Sequence, residues 1–394
     1  MPGDVCGTII SPGMKNLAAA PGSSITIGGT RTHSGIGRDT RSVIEGEDVM
    51  TTSLNQSPLL SITVLNYNYG HFLPMCLDSI LSQNFKDYEI ILINDKSTDN
   101  SLEVIKPYLT DPRIRLIDHE VNKGFVASLI EGAELSRGRY ITVISADDWI
   151  LETSAISKQV KILEQDSEIV FVYTAYGHFE NPNKCDYVWR AANESNILNK
   201  REAFRELVLY PFILHSGTII RKTAYDTIGG YEAKYRYSVD TRMWLGLCHT
   251  GKVAYINEAL YGYRRHESNM SKNVRSYQRA IFELLSAIEW SFGLIPSPER
   301  ESLSKLKSEA EQKILVAFVI DDIFRDHYRA GWTYFWTAFK MRPTQTLFQK
   351  TTIVIALRTL LGRGGYMFLE HIKGKFSTKS RERLATETSH IQLN

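Results

Sequence analysis

The residues most able to do chemistry in this sequence are polar side chains that follow runs of apolar, β-branched residues. They fall into three groups: Asn66, Tyr67 and Asn68; Asn94, Asp95 and Asp99; and Ser145, Asp147 and Asp148. Adjacent carboxylates such as Asp147 and Asp148 repel each other unless a cation neutralises them. Hard oxygen ligands of this kind suit Mg²⁺ or Mn²⁺, with phosphate oxygens completing the coordination shell. The pair therefore predicts a divalent metal site.

The same acids also have structural interpretations. Asp147 and Asp148 could cap a helix that begins near residue 151, and Asp95 and Asp99 could be turn and N-cap residues. What favours a ligand site is convergence, because the carboxyl ends of parallel strands meet at the sheet edge where ligands bind.

The elements that would position these groups alternate between strands and helices from Pro58 onward. Apolar β-rich runs predict strands, and apolar residues at helical spacing predict the helices between them. The predicted strands are 59–65, 88–93, 113–117, 140–145 and 169–174, and the predicted helices are 71–83, 99–109, 124–136 and 152–165. This order indicates βαβ units in a mostly parallel sheet with helices on both faces, an α/β fold.

The regions on either side have a different character. Residues 1–57 are rich in Gly, Ser and Thr without periodicity, which predicts a flexible, disordered leader. Residues 176–200 are polar and irregular, which predicts a surface loop. From about residue 274 the pattern predicts only helices. We therefore expect a leader over 1–57, an α/β domain over 58–272 and a helical C-terminal region over 273–394.

Composition excludes several classes of protein. The 394 residues are 43% hydrophobic and 23% charged, which is typical of globular chains, and a net charge of +2 gives no basis for a nucleic-acid partner. Cys6, Cys76, Cys185 and Cys248 are scattered, which argues against a zinc site or a disulfide framework and fits a reducing compartment. No apolar stretch approaches the roughly 20 residues that span a bilayer. We expect a cytoplasmic protein.

A series of motifs in the α/β region resembles the family 2 glycosyltransferases of GT-A fold. The motifs read ITVLNYN, INDKSTDNS, NKGF, ISADDW, GTIIRKTAYDTIGGYE, YSVDTRMWL and YGYRRHESNMS. Each motif alone is weak, but their order and spacing over about residues 58–272 are specific. The resemblance implies transfer of a sugar from a nucleotide-diphospho-sugar to an acceptor hydroxyl, with Mn²⁺ or Mg²⁺ as cofactor.

The resemblance implies roles for the residues on the donor side. Tyr67 and Asp95 match positions that hold the nucleotide base, the ring by stacking and the carboxylate by accepting an N–H. Asp147 and Asp148 match the metal-binding acidic motif, which also touches the ribose. The hydroxyl of Ser145, in the same motif, can contact the ribose as well.

Roles later in the chain follow from the same resemblance. Asp240 matches the general base that takes the proton from the acceptor hydroxyl, in a single displacement that inverts the anomeric carbon. Arg265 and His266 match a segment that closes over the donor phosphates, with Arg suited to phosphate and His266 a further metal ligand. Trp244 matches an aromatic residue on the acceptor side, and a core tryptophan is an equally good interpretation.

The sequence also departs from the family's pattern. Less polar residues stand where the family often has Asp or another polar residue: Asn94, Ser145, Val239, Leu129 and Ile130. Because Leu129 and Ile130 follow the NKG turn, we assign only Lys123 there, as a candidate phosphate contact.

The C-terminal region combines basic and aromatic residues. They are Trp332, Tyr334, Phe335, Trp336 and Phe339 beside Arg325, Arg329, Lys340 and Arg342. Basic, aromatic helices can lie on an anionic membrane surface, which would give peripheral contact at the inner face of the membrane. The alternative is a helical lid whose apolar face packs on the α/β domain. The two are compatible.

Other functions remain to be weighed against the resemblance. A sugar nucleotidyltransferase would have a Gly-rich loop with a basic residue after the first strand, where this chain has NYNYG, and a dehydrogenase would have GxGxxG. A non-catalytic module that binds a nucleotide sugar or a partner would have lost Asp147, Asp148 or Asp240, and all three are present. The acceptor implied by the resemblance is a growing bacterial surface polysaccharide or a lipid-linked glycan, and the commonest donors are UDP-sugars.

Overall fold

The computed structural model describes residues 7–10, 57–210, 213–269, 274–324, 328–341, 343, 346 and 359–360. The chain divides into two compact units, one of Met1–Lys15 with Pro58–Asn394 and one of Asn16–Ser57. All elements given below belong to the first unit. The second unit, apart from Ser57, lies outside the described residues, and with it most of the predicted leader.

One mixed sheet organises the first unit. Its strands are β1 (Gly7–Ile10), β2 (Leu60–Asn66), β3 (Tyr88–Asn94), β4 (Ile114–Asp118), β5 (Tyr140–Ser145), β6 (Trp149–Ile150), β7 (Ile169–Phe179), β8 (Tyr187–Arg190), β9 (Asn196–Leu198), β10 (Ile219–Arg221) and β11 (Lys252–Arg264). Along the sheet the order is β1-β8-β7-β10-β5-β2-β3-β4, and β11 pairs with β6, β7 and β9. Strands β5, β2, β3 and β4 are parallel neighbours, whereas β10 runs antiparallel between β5 and β7.

The helices follow the strands in chain order. They are α1 (Leu73–Leu81), α2 (Ser101–Ile105), α3 (Phe125–Leu135), α4 (Ala155–Gln165), α5 (Lys200–Leu209), α6 (Lys222–Thr227), α7 (Val239–Leu247), α8 (Val274–Gly293), α9 (Ser297–Ser302), α10 (Ser304–Phe324) and α11 (Tyr328–Met341). The helix predicted over 99–109 is divided into α2 and a 3-10 helix, Lys106–Thr110. Pro107 explains the division, because proline has no N–H to donate within a continuous α-helix.

The parallel strands are buried on both faces, as the sequence predicts. On β2, Ile62 and Val64 pack into one core cluster with Leu77 of α1, while Leu65 belongs to the cluster on the opposite face. Leu129 of α3 lies in that second cluster with no exposed surface. Its apolar character, unusual beside the family's pattern, is therefore explained by core packing.

Two predictions for the flanking regions differ from the structure. In the predicted disordered leader, Gly7–Ile10 form β1, which pairs parallel with β8. The predicted irregular segment 176–200 contains the end of β7 as well as β8 and β9. Strand β9 pairs with β11 and β1 pairs with β8, partners that are distant in sequence, so local periodicity does not reveal β1 and β9, whereas β8 forms a hairpin with the end of β7.

The cysteines also differ in part from expectation. Cys185 is disulfide-bonded, which the scattered cysteines and the expected reducing compartment did not predict. Cys76 and Cys248 are buried free thiols.

The C-terminal helices belong to the same compact unit as the sheet. On α11, Phe335 is buried, and Trp332, Tyr334 and Phe339 pack against the core, as expected for a helical lid. Trp336 is 54% exposed. The side chains of Arg325, Arg329 and Arg342 lie outside the described residues, so membrane contact stays a prediction.

Within the described ranges, every helix is too short or too polar to cross a membrane.

Candidate active site

The two acids predicted to bind a metal lie in the turn that ends β5. The N–H of Asp148 donates to the carbonyl of Ser145 at 2.9 Å, which closes the turn. Only 6% of Asp147 and 4% of Asp148 is exposed. Burial, followed by the charge of Asp147, raises the pKa of the Asp148 carboxyl well above its ordinary value. Two adjacent carboxylates are thus held where a positive charge would stabilise them.

Asp148 is fixed from two distant parts of the chain. Its Oδ2 accepts the hydroxyl of Ser216 at 2.7 Å, and its Oδ1 accepts the N–H of Arg264 at 3.2 Å. The guanidinium of Arg264 donates from Nε to the carbonyl of Asp147 at 2.9 Å. The end of β11 is thereby joined to the acidic turn.

Arg264 is the arginine that contacts the acid pair, although the sequence pointed to its neighbour. The Arg264 guanidinium carbon lies 4.4 Å from the ring centre of Phe72 and 4.7 Å from that of Trp149. The Arg265 side chain is 41% exposed, and its Nη1 lies 3.8 Å from Glu180. Arg265 follows the last residue of β11, and its guanidinium lies beside Glu180 instead of the acids. Phosphate contact by Arg265 stays a prediction.

Asp147 contacts the segment that follows β11. Its Oδ2 lies 3.0 Å from Nε2 of His266 and 3.3 Å from the amide nitrogen of Asn269. The His266 ring packs edge-on against Tyr69 at 5.3 Å and tilted against Phe72 at 5.0 Å. The structure therefore brings His266 to the acid pair, as predicted.

The residues fit a divalent cation that takes part of its ligand shell from a substrate. Asp147 Oδ1 is buried and has no hydrogen-bond partner among the described residues, so one carboxylate oxygen is available. No group of three or more His, Cys, Asp and Glu side chains in the described ranges is arranged to hold a metal by itself. Mg²⁺ is commonly bound through one or two carboxylates together with substrate phosphates and water. The metal role of Asp147, Asp148 and His266 stays a prediction.

The loops after β2 and β3 are joined by amide side chains. The Asn66 amide donates to Asn94 Oδ1 at 2.9 Å, and the Asn94 amide donates to Asp118 at 2.7 Å. This explains Asn94 where the family often has Asp, because a carboxylate could not donate to Asp118. Tyr67 follows Asn66 in the chain and is 47% exposed. Its ring is therefore available for the predicted stacking on a base.

The carboxylate of Asp95 organises the loop before α3. It accepts the N–H groups of Lys123 at 2.7 Å and Gly124 at 2.8 Å, and lies 2.7 Å from Nδ1 of His119. His119 is buried, and its Nε2 lies 3.0 Å from Glu131. The Lys123 ammonium is paired with Glu131 at 2.8 Å. Asp95 therefore supports the NKG turn, a role the sequence did not predict, while base recognition stays a prediction.

The predicted base lies in the first turn of α7. Asp240 is partly buried, and its Oδ1 accepts the N–H of Thr241 at 2.7 Å. Burial raises the pKa of the Asp240 carboxyl. In turn, the charge of Asp240 contributes, after burial, to the raised pKa of Tyr231, whose hydroxyl lies 2.6 Å from Nε2 of His215. Because His215 adjoins Ser216, contacts run from Asp148 through Ser216 and His215 to Tyr231.

Trp244 lies in the hydrophobic core, next to His215. Its exposed fraction is 0%, and its ring packs against Phe171 at 5.2 Å and edge-on against His215 at 5.7 Å. This is the placement of a core tryptophan, with no surface for direct contact with an acceptor. A role on the acceptor side would therefore be indirect, through His215, and stays a prediction.

Several site residues were missed by sequence reasoning, and they share polar side chains near a recognised motif. They are Tyr69, His119, His215, Ser216, Arg264 and Asn269. Only Arg264 and Asn269 carried a usable signal, because both lie inside YGYRRHESNMS.

Comparison with known proteins places this geometry in a family. Residues 61–229 match the family model described as Glycosyl transferase family 2. Hyaluronan synthase of Pasteurella multocida is 31% identical over 219 residues, which are 55% of this chain and 22% of that protein. Glycosyltransferase GlyG of Streptococcus pneumoniae serotype 4 is 28% identical over 245 residues, which are 58% of this chain and 79% of that protein. The chain thus spans less than a quarter of the hyaluronan synthase it matches.

The fold is similar to that of a solved structure, S. aureus TarS 1-349 in complex with UDP-GlcNAc. The TM-score is 0.56 at 12% sequence identity, over 73% of this chain and 82% of that one. The predicted GT-A fold, an α/β architecture with a mostly parallel core and C-terminal helices, is confirmed. Segment 61–229 thus matches glycosyl transferase family 2, the family whose motifs the sequence resembles, and the fold is similar to that of TarS.

Proposed function

We propose that this chain is a glycosyltransferase that moves a sugar from a nucleotide-diphospho-sugar to an acceptor hydroxyl with inversion at the anomeric carbon. The observation that carries the proposal is the buried pair Asp147–Asp148: Ser216 donates to Asp148, and the preceding residue, His215, packs against Trp244 of α7, the helix that carries Asp240. A candidate cation site and the helix that carries the candidate base are thus both contacted by the loop of His215 and Ser216.

The donor would bind over the ends of β2, β3 and β5. The exposed ring of Tyr67 is suited to stacking on the base. A carboxylate has about four lone-pair sites, and Asp95 uses three of them for Lys123, Gly124 and His119. One site therefore remains for an N–H of the base. Ser145 would contact the ribose.

Asp147 and Asp148 would hold Mn²⁺ or Mg²⁺ together with the donor diphosphate, with His266 as a further ligand. When bound, such a cation stabilises negative charge on the leaving diphosphate. Arg264, buried beside Asp147, adds a fixed positive charge that needs no reorganisation during the reaction. Arg265 would reach the phosphates from the exposed side of the same strand end.

Asp240 would be the general base. Its carboxylate takes the proton from the acceptor hydroxyl as that oxygen attacks the anomeric carbon. The bond from this carbon to the diphosphate oxygen breaks, and its electron pair leaves with the diphosphate. Because attack and departure occur on opposite faces of the sugar, the product has inverted configuration. The raised pKa of Asp240 makes it a stronger base than an exposed carboxylate.

The acceptor is proposed by chemistry and resemblance only, as a growing bacterial polysaccharide or a lipid-linked glycan. A lipid-linked acceptor would agree with the exposed Trp336 on α11 as a point of peripheral membrane contact. Flotation with anionic and neutral liposomes over a range of salt tests this, because an electrostatic contribution weakens with ionic strength.

The competing proposal is a non-catalytic module of the same fold. The retained Asp147, Asp148 and Asp240 favour catalysis, since a binding module needs no base. A sugar nucleotidyltransferase is a second competitor, disfavoured by the loop NYNYG after β2.

A panel of nucleotide sugars, with UDP-GlcNAc first, tests the proposal by thermal shift with and without Mn²⁺. A donor that binds the native state raises the melting temperature, and the rise should need the cation. Release of nucleotide from that donor, and the anomeric configuration of the transferred sugar by NMR, then test the chemistry. Binding without turnover would favour the non-catalytic module, and a retained configuration would reject single displacement.

A further inference from the structure

Helix α8 lies outside residues 61–229, the segment that matches the family model, yet it contacts the segment that leads into α7. One oxygen of Glu283 on α8 accepts the N–H of Tyr237 at 2.6 Å and the N–H of Ser238 at 3.1 Å. The hydroxyl of Ser238 also lies 3.3 Å from that oxygen. These groups stand directly before α7, and Asp240 is its second residue.

The carboxylate of Glu283 takes the part that the N3 side chain plays in a capping box, because it accepts the N–H of the N-cap residue, Ser238. Ser238 is the N-cap residue of α7, but its side chain makes no capping hydrogen bond within the helix. N–H groups at a helix start need acceptors, and a negative charge there interacts favourably with the helix dipole. Glu283 supplies both from a helix about 45 residues further along the chain.

Three further contacts hold α7 and the segment before it against α8. The guanidinium carbon of Arg242, one turn inside α7, lies 3.9 Å from the ring centre of Trp290. A Cβ added at Gly246 would come within 2.8 Å of Trp290, so the absence of a side chain there allows the two helices to approach closely. The tyrosine hydroxyl of Tyr235 lies 3.4 Å from Ser286. Glu283 therefore binds the start of a helix that also packs against α8 through other residues.

We propose that Glu283 is a positioning residue for Asp240: by capping the start of α7 from α8, it fixes the orientation in which the base meets the acceptor hydroxyl. This rests on the proposed role of Asp240. It makes the C-terminal helical region part of the catalytic apparatus rather than only a cover, because the segment that begins α7 is held by a residue of α8.

The variants Glu283→Ala and Glu283→Gln test the proposal, with Glu289→Ala as matched control. Glu289 lies on the same helix and forms an ion pair with Lys307 of α10, so its removal leaves the start of α7 untouched. In Glu283→Ala, amide hydrogen exchange at Tyr237 and Ser238 should accelerate about five-fold or more, as loss of a capping interaction implies. Glu283→Gln keeps an acceptor oxygen, so its exchange rates should lie between those of wild type and Glu283→Ala. The exchange rates of the control should match those of wild type.

Kinetics separate positioning from a merely structural role. With the donor found in the panel, kcat of Glu283→Ala should fall about ten-fold or more while the donor KM stays within two-fold, and Glu283→Gln should recover part of the rate. Unchanged exchange at Tyr237 and Ser238 would overturn the capping role. Faster exchange with wild-type kcat would overturn the positioning role. Absence of turnover in wild type would instead count against the proposed function, and the exchange result would still decide the capping.

Discussion

The hydroxyl of Ser216 donates to Oδ2 of Asp148 at 2.7 Å, in a position where both residues are buried. The residue before it, His215, packs edge-on against Trp244 of α7. One loop thus contacts both the acid pair and the helix that carries Asp240. The donor and acceptor halves of the proposed mechanism share this support, so a change in it should affect the chemistry without unfolding the domain.

Replacing Ser216 by Ala should weaken the proposed metal site. The change removes a hydrogen bond to the charged form of Asp148 and leaves one carboxylate oxygen less fixed. We expect the Mn²⁺ concentration for half-maximal turnover to rise about 10–100-fold, as is common when a residue supporting a ligand is lost. Ser157→Ala is the control, because that hydroxyl donates only to the nearby Ser154 carbonyl. An unchanged Mn²⁺ requirement would show that Asp148 is not a ligand held by Ser216.

Arg264→Lys should impair turnover more than Arg265→Lys. Lysine cannot reproduce the planar guanidinium held between Phe72 and Trp149 while donating to the Asp147 carbonyl. We expect kcat/KM to fall about ten-fold or more in Arg264→Lys, and by less in the exposed Arg265 variant. Melting temperatures of both variants check that folding is intact. The reverse order would restore Arg265 as the main contact to the donor phosphates.

Much of the fold could be predicted from the sequence because each central strand can be recognised from its own residues. Runs such as Leu60–Asn66 and Tyr88–Asn94 are mostly apolar and buried throughout, since helices cover both faces of the sheet. Strand β9 could not be predicted, because its partner β11 is far away in sequence, and the hairpin between β7 and β8 was missed. The acid pair was found from the type and spacing of its residues.

Other parts of the site could not be predicted because they depend on three-dimensional register. Which of Arg264 and Arg265 faces the acids is decided by the pairing of β11 with β6 and β7. The engagement of Asp95 with the NKG turn, and the cap that Glu283 provides for α7, join residues that sequence motifs treat separately. Trp244 has the pattern of a site residue but the environment of a core residue.

The acid side of the pH profile should report on Asp240. Burial raises the pKa of its carboxyl, and the proposed base works only when ionised. The value of kcat/KM should therefore fall as pH drops through a pKa above the ordinary value of about 3.9 for Asp. In Asp240→Asn, measured at saturating Mn²⁺, this fall of kcat/KM at low pH should be absent. A wild-type profile that is flat down to about pH 4 would contradict the assignment.

Stability should fall in mild acid through His249. Burial lowers its pKa to about 4, so the folded protein keeps the ring neutral while the unfolded chain, with an ordinary pKa near 6.5, takes up a proton. The free energy of unfolding should then decrease by about 1.4 kcal/mol per pH unit from this residue as pH falls from about 6.5 towards 4. His249→Gln removes the titration, and denaturant unfolding of both proteins at pH 7 and pH 5 gives the difference. Equal slopes would show that the ring is not buried as a neutral group.

The turnover of Asp240→Asn tests the proposed function most directly. Asparagine is nearly isosteric but cannot accept the proton, so nucleotide release by transfer should fall about 10²–10⁴-fold. Donor affinity, measured by calorimetry with Mn²⁺, should stay within a few-fold of wild type, because the base acts only as the acceptor hydroxyl attacks. This separation of rate from binding is the result that the account predicts. A variant that turns over within a few-fold of wild type would contradict it.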